Sequence, residues 1–299
     1  VLNKSDYHLL FSKVHERDSG LRFKKKYLNF LLRTYLYRKS FNYLKSNVDR
    51  TFFYYNPHLL EKIFRPYLSL KKSNYENAKI ISSHYGYLES NFKYNELNLK
   101  LSNEGIILFD FEVDERLYTT KLIYDPKFRR EGELTLQIQD DKCEPIYSLS
   151  FCFNNSDNLN ILIGSLQGPE SSPNTNGLIK KLTKQLYGLR PKDLMIKVLI
   201  GVANTLNVKE IFAISNKYHV FNTNRYKSIH VSSNYDNHWS SISGKKVTED
   251  FFVLPNTDLR KNPEDISRNK RAMYRKRYAW LDQMYTDIRN NLKMYLNEN

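Results

Sequence analysis

Residues Ile161–Tyr218 read ILIGSLQGPESSPNTNGLIKKLTKQLYGLRPKDLMIKVLIGVANTLNVKEIFAISNKY, and this run organises the rest of the chain. Asn160–Leu166 alternates as a strand. A polar loop at Ser171–Asn176 and a basic helix follow. The turn Gly188–Leu189–Arg190–Pro191–Lys192 opens a second helix, Pro191–Leu206, and the apolar Glu210–Ser215 closes the unit as a strand. A strand–helix–strand order with a buried last strand predicts a parallel crossover on a sheet. The second helix starts between Arg190 and Lys192. Its unpaired N–H groups and positive dipole end make that turn the first place to expect an anionic ligand.

Upstream of this unit the period is two. Leu97–Ser102, Gly105–Val113, Leu117–Tyr124, Leu134–Asp140 and Ile146–Asn154 read as strands separated by polar, Gly or Pro turns, an antiparallel meander. Downstream, Lys227–Ser232 and Asp250–Pro255 read as late strands, and Pro263–Tyr295 as a long charged helix. Residues 1–95 read as helical and basic: Tyr7–Arg17, Leu21–Leu44, His58–Ile63 and Asn74–Ser90 carry helical spacing. The expected fold class is α+β. A helical N-terminal region (1–95) precedes a mixed, mostly antiparallel sheet with crossover helices and a C-terminal helix (96–299).

With 47 Lys and Arg against 32 Asp and Glu, the net charge of +15 favours an acidic partner. Three kinds fit: nucleic acid such as tRNA or another RNA, an anionic membrane surface, or a phosphorylated small molecule. From Leu21 to Arg50 nine residues are basic and Asp49 alone is acidic. A basic amphipathic helix there lies on lipid or a phosphate backbone, or packs one face on the protein and leaves its lysines in water. Two cysteines, Cys143 and Cys152, make neither a disulfide framework nor a four-ligand zinc set. They fit a reducing cytoplasm, with the protein free or peripheral to the inner membrane. No segment reaches the roughly 18–20 apolar residues of a membrane span.

Several side chains could carry chemistry. Glu131 and Glu133 flank Gly132 at the spacing of one strand face, as a general base and its orienter or as a solvated edge. His219 follows the strand that ends at Ser215, where open α/β sheets commonly bind ligands, and is the candidate base. Tyr235, Asp236, His238 and Trp239 crowd into five residues. They form either an acid–base cluster or a packed turn with Trp239 as anchor. His219, His230 and His238 with Asp236 match no zinc spacing, so no metal is expected. The run from Arg268 to Arg277 clamps an acidic polymer or solvates its helix. Walker, Gly-x-Ser-x-Gly, His-Glu-x-x-His and dinucleotide motifs are missing from the sequence.

Seven strings in order, EGELTL (131–136), IYSLSFCF (146–153), IGSLQGP (163–169), GLRPK (188–192), AISNKYH (213–219), YDNHW (235–239) and KRAMYRKRY (270–278), resemble the VirK/YbjX family of Gram-negative bacteria. The resemblance implies an association with virulence, outer-membrane maintenance and resistance to cationic antimicrobial peptides. It supplies no catalytic residue. The layout also resembles the GCN5-related acyltransferases, in which a strand-to-helix turn holds the pyrophosphate of coenzyme A. Gln167 and Gly168 match the first element of that pattern. A basic helix then intervenes before Gly188, and no Gly-x-Gly follows.

Two functions therefore stand as expectations. One is a transferase taking an acyl or aminoacyl group from a coenzyme A thioester or aminoacyl-tRNA. Gln167, Gly168, Arg190 and Lys192 would hold the donor, and His219, with Glu133, Asp236 and Tyr235, would do the chemistry. The other is a non-enzymatic basic protein that binds nucleic acid or an anionic membrane.

Overall fold

A computed structural model describes residues 2–223 and 234–298. Its N-terminal region is helical: α1 (Lys4–Val14), α2 (Gly20–Leu36), α3 (Arg38–Asn47), α4 (Arg50–Tyr55), α5 (Leu59–Lys62), α6 (Asn74–Asn91) and α7 (Tyr94–Asn103). The expected long helix over Leu21–Leu44 breaks at Tyr37, whose backbone leaves the helical region. The break turns α3 so that Phe41 meets Phe30 of α2 edge-on at 6.2 Å, inside an aromatic cluster with Tyr7 and Phe11 of α1. The expected strand Leu97–Ser102 is instead part of α7. Leu97 and Leu101, four apart, are buried while Leu99 faces water, which is a helical pattern.

The sheet then forms from β1 (Ile106–Val113), β2 (Arg116–Ile123), β3 (Leu134–Gln139), β4 (Pro145–Asn155) and β5 (Leu159–Gln167) as an antiparallel meander. Helices α8 (Pro173–Gln185) and α9 (Pro191–Thr205) lead to β6 (Glu210–Ile214), which pairs parallel to β5, so the expected crossover is present. Ser172, expected in a loop, caps α8 through a capping box with Thr175. Then come α10 (Tyr235–Ser241), β7 (Lys245–Lys246), β8 (Phe251–Leu254) and α11 (Arg271–Lys293). The strand order is β1-β2-β3-β4-β5-β6-β8-β7, and among the described residues β5–β6 is the one parallel pair. The expected strand at 227–232 lies outside the described residues. Pro263 opens a short 3-10 turn rather than the final helix, because the chain extends at Ile266, which is buried, coils again as a 3-10 turn at Arg268 and becomes α-helical at Arg271.

Burial is unbroken along Ser148–Phe153 of β4, so that strand needs cover on both faces. Helix α6 packs on β4, with His84 and Tyr87 against Phe153. Helix α9 lies against β3 and β4, and α11 stacks on α9 at Gly201, beside Ile288. One cluster of buried residues runs from Leu2 through the sheet to Leu292. Among the described residues no helix is long and apolar enough to cross a membrane.

Candidate functional site

The parallel pair β5–β6 sets the site. Their pairing ends at Ile163 and Ala213 although β5 continues to Gln167. On its other side β5 carries a bulge: Ser150 pairs with Ser165 and Phe151 with Ile163, leaving Gly164 without a partner across the ladder. The segment ahead of β3 crosses the sheet over this bulge. A Cβ at Gly164 would stand 1.8 Å from the Glu131 carbonyl oxygen, and one at Gly132 would stand 2.5 Å from the Phe151 nitrogen. Both positions therefore require glycine, and the crossing delivers Glu131 and Glu133 to two separate buried places.

Glu131 meets His219. Oε1 of the carboxylate lies 3.0 Å from His219 Nε2, and Gln167 donates its side-chain N–H to the same oxygen at 3.1 Å. Both residues of the pair are 1% exposed. The Phe221 N–H approaches His219 Nδ1 at 3.4 Å, so Nδ1 is the acceptor and Nε2 carries the proton given to Glu131. That arrangement orients an imidazole through one nitrogen and leaves the other in a long, weak contact.

Tyr235 lies beside it, with its ring centroid 5.4 Å from that of His219. Its hydroxyl accepts the Leu166 N–H, and Trp239, stacked on Tyr235, donates its indole N–H to the Ile214 carbonyl. The two aromatics thus satisfy backbone groups of β5 and β6 where the strands no longer pair each other. Burial, reinforced by Glu131, pushes the Tyr235 phenol up and keeps it protonated. Asp236, expected to orient His219, instead accepts the Asn216 N–H at 2.7 Å while its own N–H donates to Asn216 Oδ1. It ties α10 to the turn that presents His219.

Glu133, also expected beside His219, has other partners. Lys62 donates to its Oε1 at 2.7 Å and Tyr85 to its Oε2 at 2.8 Å. Asn56 and Tyr124 extend the chain of hydrogen bonds. This is a buried ion pair inside a structural network, with Tyr67 and the buried thiol of Cys152 close by. Lys62, His84 and Tyr85 were not singled out from the sequence. Two carboxylates heading a wholly buried strand were the available sign that partners had to come from elsewhere.

Of the expected donor residues, Arg190 and Lys192 stand at the start of α9, whereas Gln167 is engaged with Glu131 and Gly168 lies against Tyr147. Arg190 is the N-cap, extended and exposed, with Pro191 at the first helical position. Burial draws the half-buried Lys192 ammonium down and Asp193 up. His238 packs against this first turn, 3.9 Å from Asp193. Burial, with Lys192 and Arg190 adding to it, holds its ring at a pKa of about 4. Its Nε2 is buried without a hydrogen-bond partner among the described residues. Gly168 passes under the Tyr147 ring, where a Cβ would come within 2.6 Å of it. From α11, Arg277 donates to the Tyr187 carbonyl and braces the turn, so one cation of the C-terminal basic run is structural. Among the described residues no group of three His, Cys, Asp or Glu side chains is placed to hold a metal ion, and His230 lies outside them.

Fold and site together define an α+β protein with a buried histidine–carboxylate pair at the open end of its parallel strands and a basic helix start on the crossover between them. The chain belongs to the family described as protein of unknown function (DUF535), which matches residues 19–290. It is 29% identical over 231 residues to the uncharacterized protein YbjX of Escherichia coli (strain K12), covering 76% of this chain and 69% of the relative. An uncharacterized protein of Haemophilus influenzae is 35% identical over 191 residues, 63% of this chain and 62% of that protein. A second from the same organism is 34% identical over 134 residues, 44% of each chain. The chain thus spans less than two thirds of either Haemophilus relative. No solved structure matches it.

Proposed function

We propose that the protein is a transferase that moves an acyl or aminoacyl group from a phosphorylated carrier, a coenzyme A thioester or an aminoacyl-tRNA, to an amine or hydroxyl. The observation that carries this reading is the oriented imidazole. Glu131, itself held by Gln167, fixes His219 through Nε2, and among the described residues Nδ1 makes a single contact, at 3.4 Å. An acceptor N–H or O–H displacing that contact gives its proton to Nδ1 as it attacks the carbonyl carbon. The C–S or C–O bond to the carrier breaks, and the proton passes on to the leaving group. Arg190, Lys192 and the N–H groups of α9 suit the donor phosphates. Tyr235 and Trp239 take up backbone groups of β5 and β6 beyond their pairing, which leaves the first turn of α9 as the approach for a carrier arm in this reading.

The test is steady-state kinetics with acyl-coenzyme A and aminoacyl-tRNA donors. His219→Gln should lower kcat by about 10²–10⁴ with donor affinity kept. Arg190→Ala should weaken donor binding. Turnover that survives His219→Gln, or donor affinity that is indifferent to Arg190, refutes the assignment.

A second reading rests on α2. Leu21, Leu28, Leu32, Tyr35 and Leu36 are each more than half exposed along one side of this helix, while Phe23, Tyr27 and Phe30 pack inward. No acidic residue occurs between Arg22 and Val48, and Lys24, Lys25 and Arg33 flank the apolar side. Leucines beside lysines match an anionic bilayer surface better than a nucleic acid, which offers no apolar phase. Vesicle flotation with and without anionic lipid checks this. Leu28→Glu with Leu32→Glu should abolish binding, and a concentration-dependent dimer in place of lipid binding would point to a second copy as the occupant.

A further inference from the structure

Helix α5 and the turn before Glu131 enclose a cavity of about 140 Å³ on the helical side of the molecule. Its wall brings together Lys62 at the end of α5, Arg65 from the turn after it, Arg129 and Arg130 from the turn before Glu131, and His58. With His15 these make four cationic side chains and two imidazoles around one small space.

Among the described residues the wall holds more cationic side chains than carboxylates. Lys62 is committed to Glu133, and Glu61, the single carboxylate lining the cavity among the described residues, faces His15 at 3.0 Å. Neither Arg65 nor Arg129 has a carboxylate within ion-pairing distance among the described residues. Arg129 spends one N–H on the Pro126 carbonyl and keeps the rest of its guanidinium. Cations packed this closely repel one another, and a fold tolerates that where an anion relieves it. His58 registers the field. Burial, then Arg129, Lys62, His15 and Arg65, hold its ring at a pKa of about 4.

We propose that this cavity is a binding site for a phosphate group, held by the Arg65 and Arg129 guanidiniums with Arg130 at its rim. Guanidiniums match phosphate oxygens with paired N–H donors, which chloride cannot exploit. The volume is below the roughly 300–1,000 Å³ of pockets that engulf a whole small ligand. The site therefore takes a phosphate or pyrophosphate, free or at the end of a larger molecule. It is separate from the start of α9 and does not depend on the transferase reading.

The experiment is calorimetric titration of the full chain with inorganic phosphate, pyrophosphate and a nucleoside diphosphate, at fixed ionic strength against sodium chloride. His58 is followed by NMR in parallel. Binding of at least one phosphate compound is expected. Arg65→Gln and Arg129→Gln should each weaken it by about tenfold or more, the loss of one charge-assisted contact, and Arg65→Lys should weaken it less. Bound phosphate should raise the His58 pKa from about 4. Tighter binding of the diphosphate than of free pyrophosphate identifies an ester as the natural occupant, and the reverse order identifies the free ion. Phosphate acting no differently from chloride, or binding unchanged in a folded Arg65→Gln/Arg129→Gln variant, overturns the proposal. If Arg129→Gln fails to fold, Arg65→Gln with the His58 titration decides alone.

Discussion

Lowering the pH should destabilise this protein through His84, by an amount that the structure allows to be worked out. His84 is fully buried in α6. Its Nδ1 accepts the Phe153 N–H at 3.1 Å, its ring stacks on that of Phe153, and its Nε2 has no hydrogen-bond partner among the described residues. Burial, and secondarily Lys62, hold its pKa at about 3 against an ordinary 6.5. Below pH 6.5 the unfolded chain takes up a proton at this residue and the folded chain does not. Stability is therefore fully present above pH 6.5 and falls as pH falls. With those two pKa values the loss from His84 is about 2 kcal/mol at pH 5 and about 4 kcal/mol at pH 3. His58 and His238, both held at about 4, act with the same sign, so the slope of the parent protein alone does not isolate His84. His84→Gln does. Its amide oxygen can still accept from Phe153, and any constant cost of the substitution cancels between two pH values. The assay is urea unfolding at pH 7.5 and pH 5.0. That window excludes the carboxylates Asp6, Asp18 and Asp49, which are held below 3.8 in the folded state. The drop in stability between the two pH values should shrink by about 2 kcal/mol in the variant. An unchanged drop refutes the reasoning and means that His84 is hydrated or protonated in the folded chain.

Two further outcomes follow from the same packing. Glu133→Leu leaves the Lys62 ammonium buried and unpaired and should cost about 3–5 kcal/mol. Adding Lys62→Met should return most of that, and strictly additive losses in the double-mutant cycle would show that the pair is not coupled. Gly164→Ala forces a methyl group into the Glu131 backbone and should cost at least about 1–3 kcal/mol by thermal or urea unfolding. Gly177→Ala, within α8 and touching nothing, should instead stabilise by roughly 0.5–1 kcal/mol. Equal effects at the two glycines would contradict the crossing over the bulge.

Local patterns carried most of the elements. The period-two runs of β1 to β5, the caps of α6, and the Pro191 start of α9 are all written in neighbouring residues. Errors arose where a local pattern serves two structures. Leu97, Leu99 and Leu101 alternate like a strand, yet α7 buries the pair four apart and exposes Leu99. Leu21–Leu44 keeps helical spacing throughout, and only contact between Phe41 and Phe30 reveals the turn at Tyr37.

By itself the sequence determined the α+β class, the meander followed by one parallel crossover, the family, and the basic start of α9. Each of these depends on periodicity, turn chemistry or motif order within short spans. Tertiary structure alone decided which carboxylate serves which partner. Glu131 and Glu133 differ by two positions, but His219 lies 88 residues from the first and Lys62 71 residues from the second. It also decided that Arg65 and Arg129 share a cavity and that Asp236 braces Asn216 rather than His219. Such pairings are set by how the chain crosses the Gly164 bulge and how α5 and α10 settle on the sheet. No local pattern encodes that distance, because the free energy that fixes it comes from burying the whole core at once.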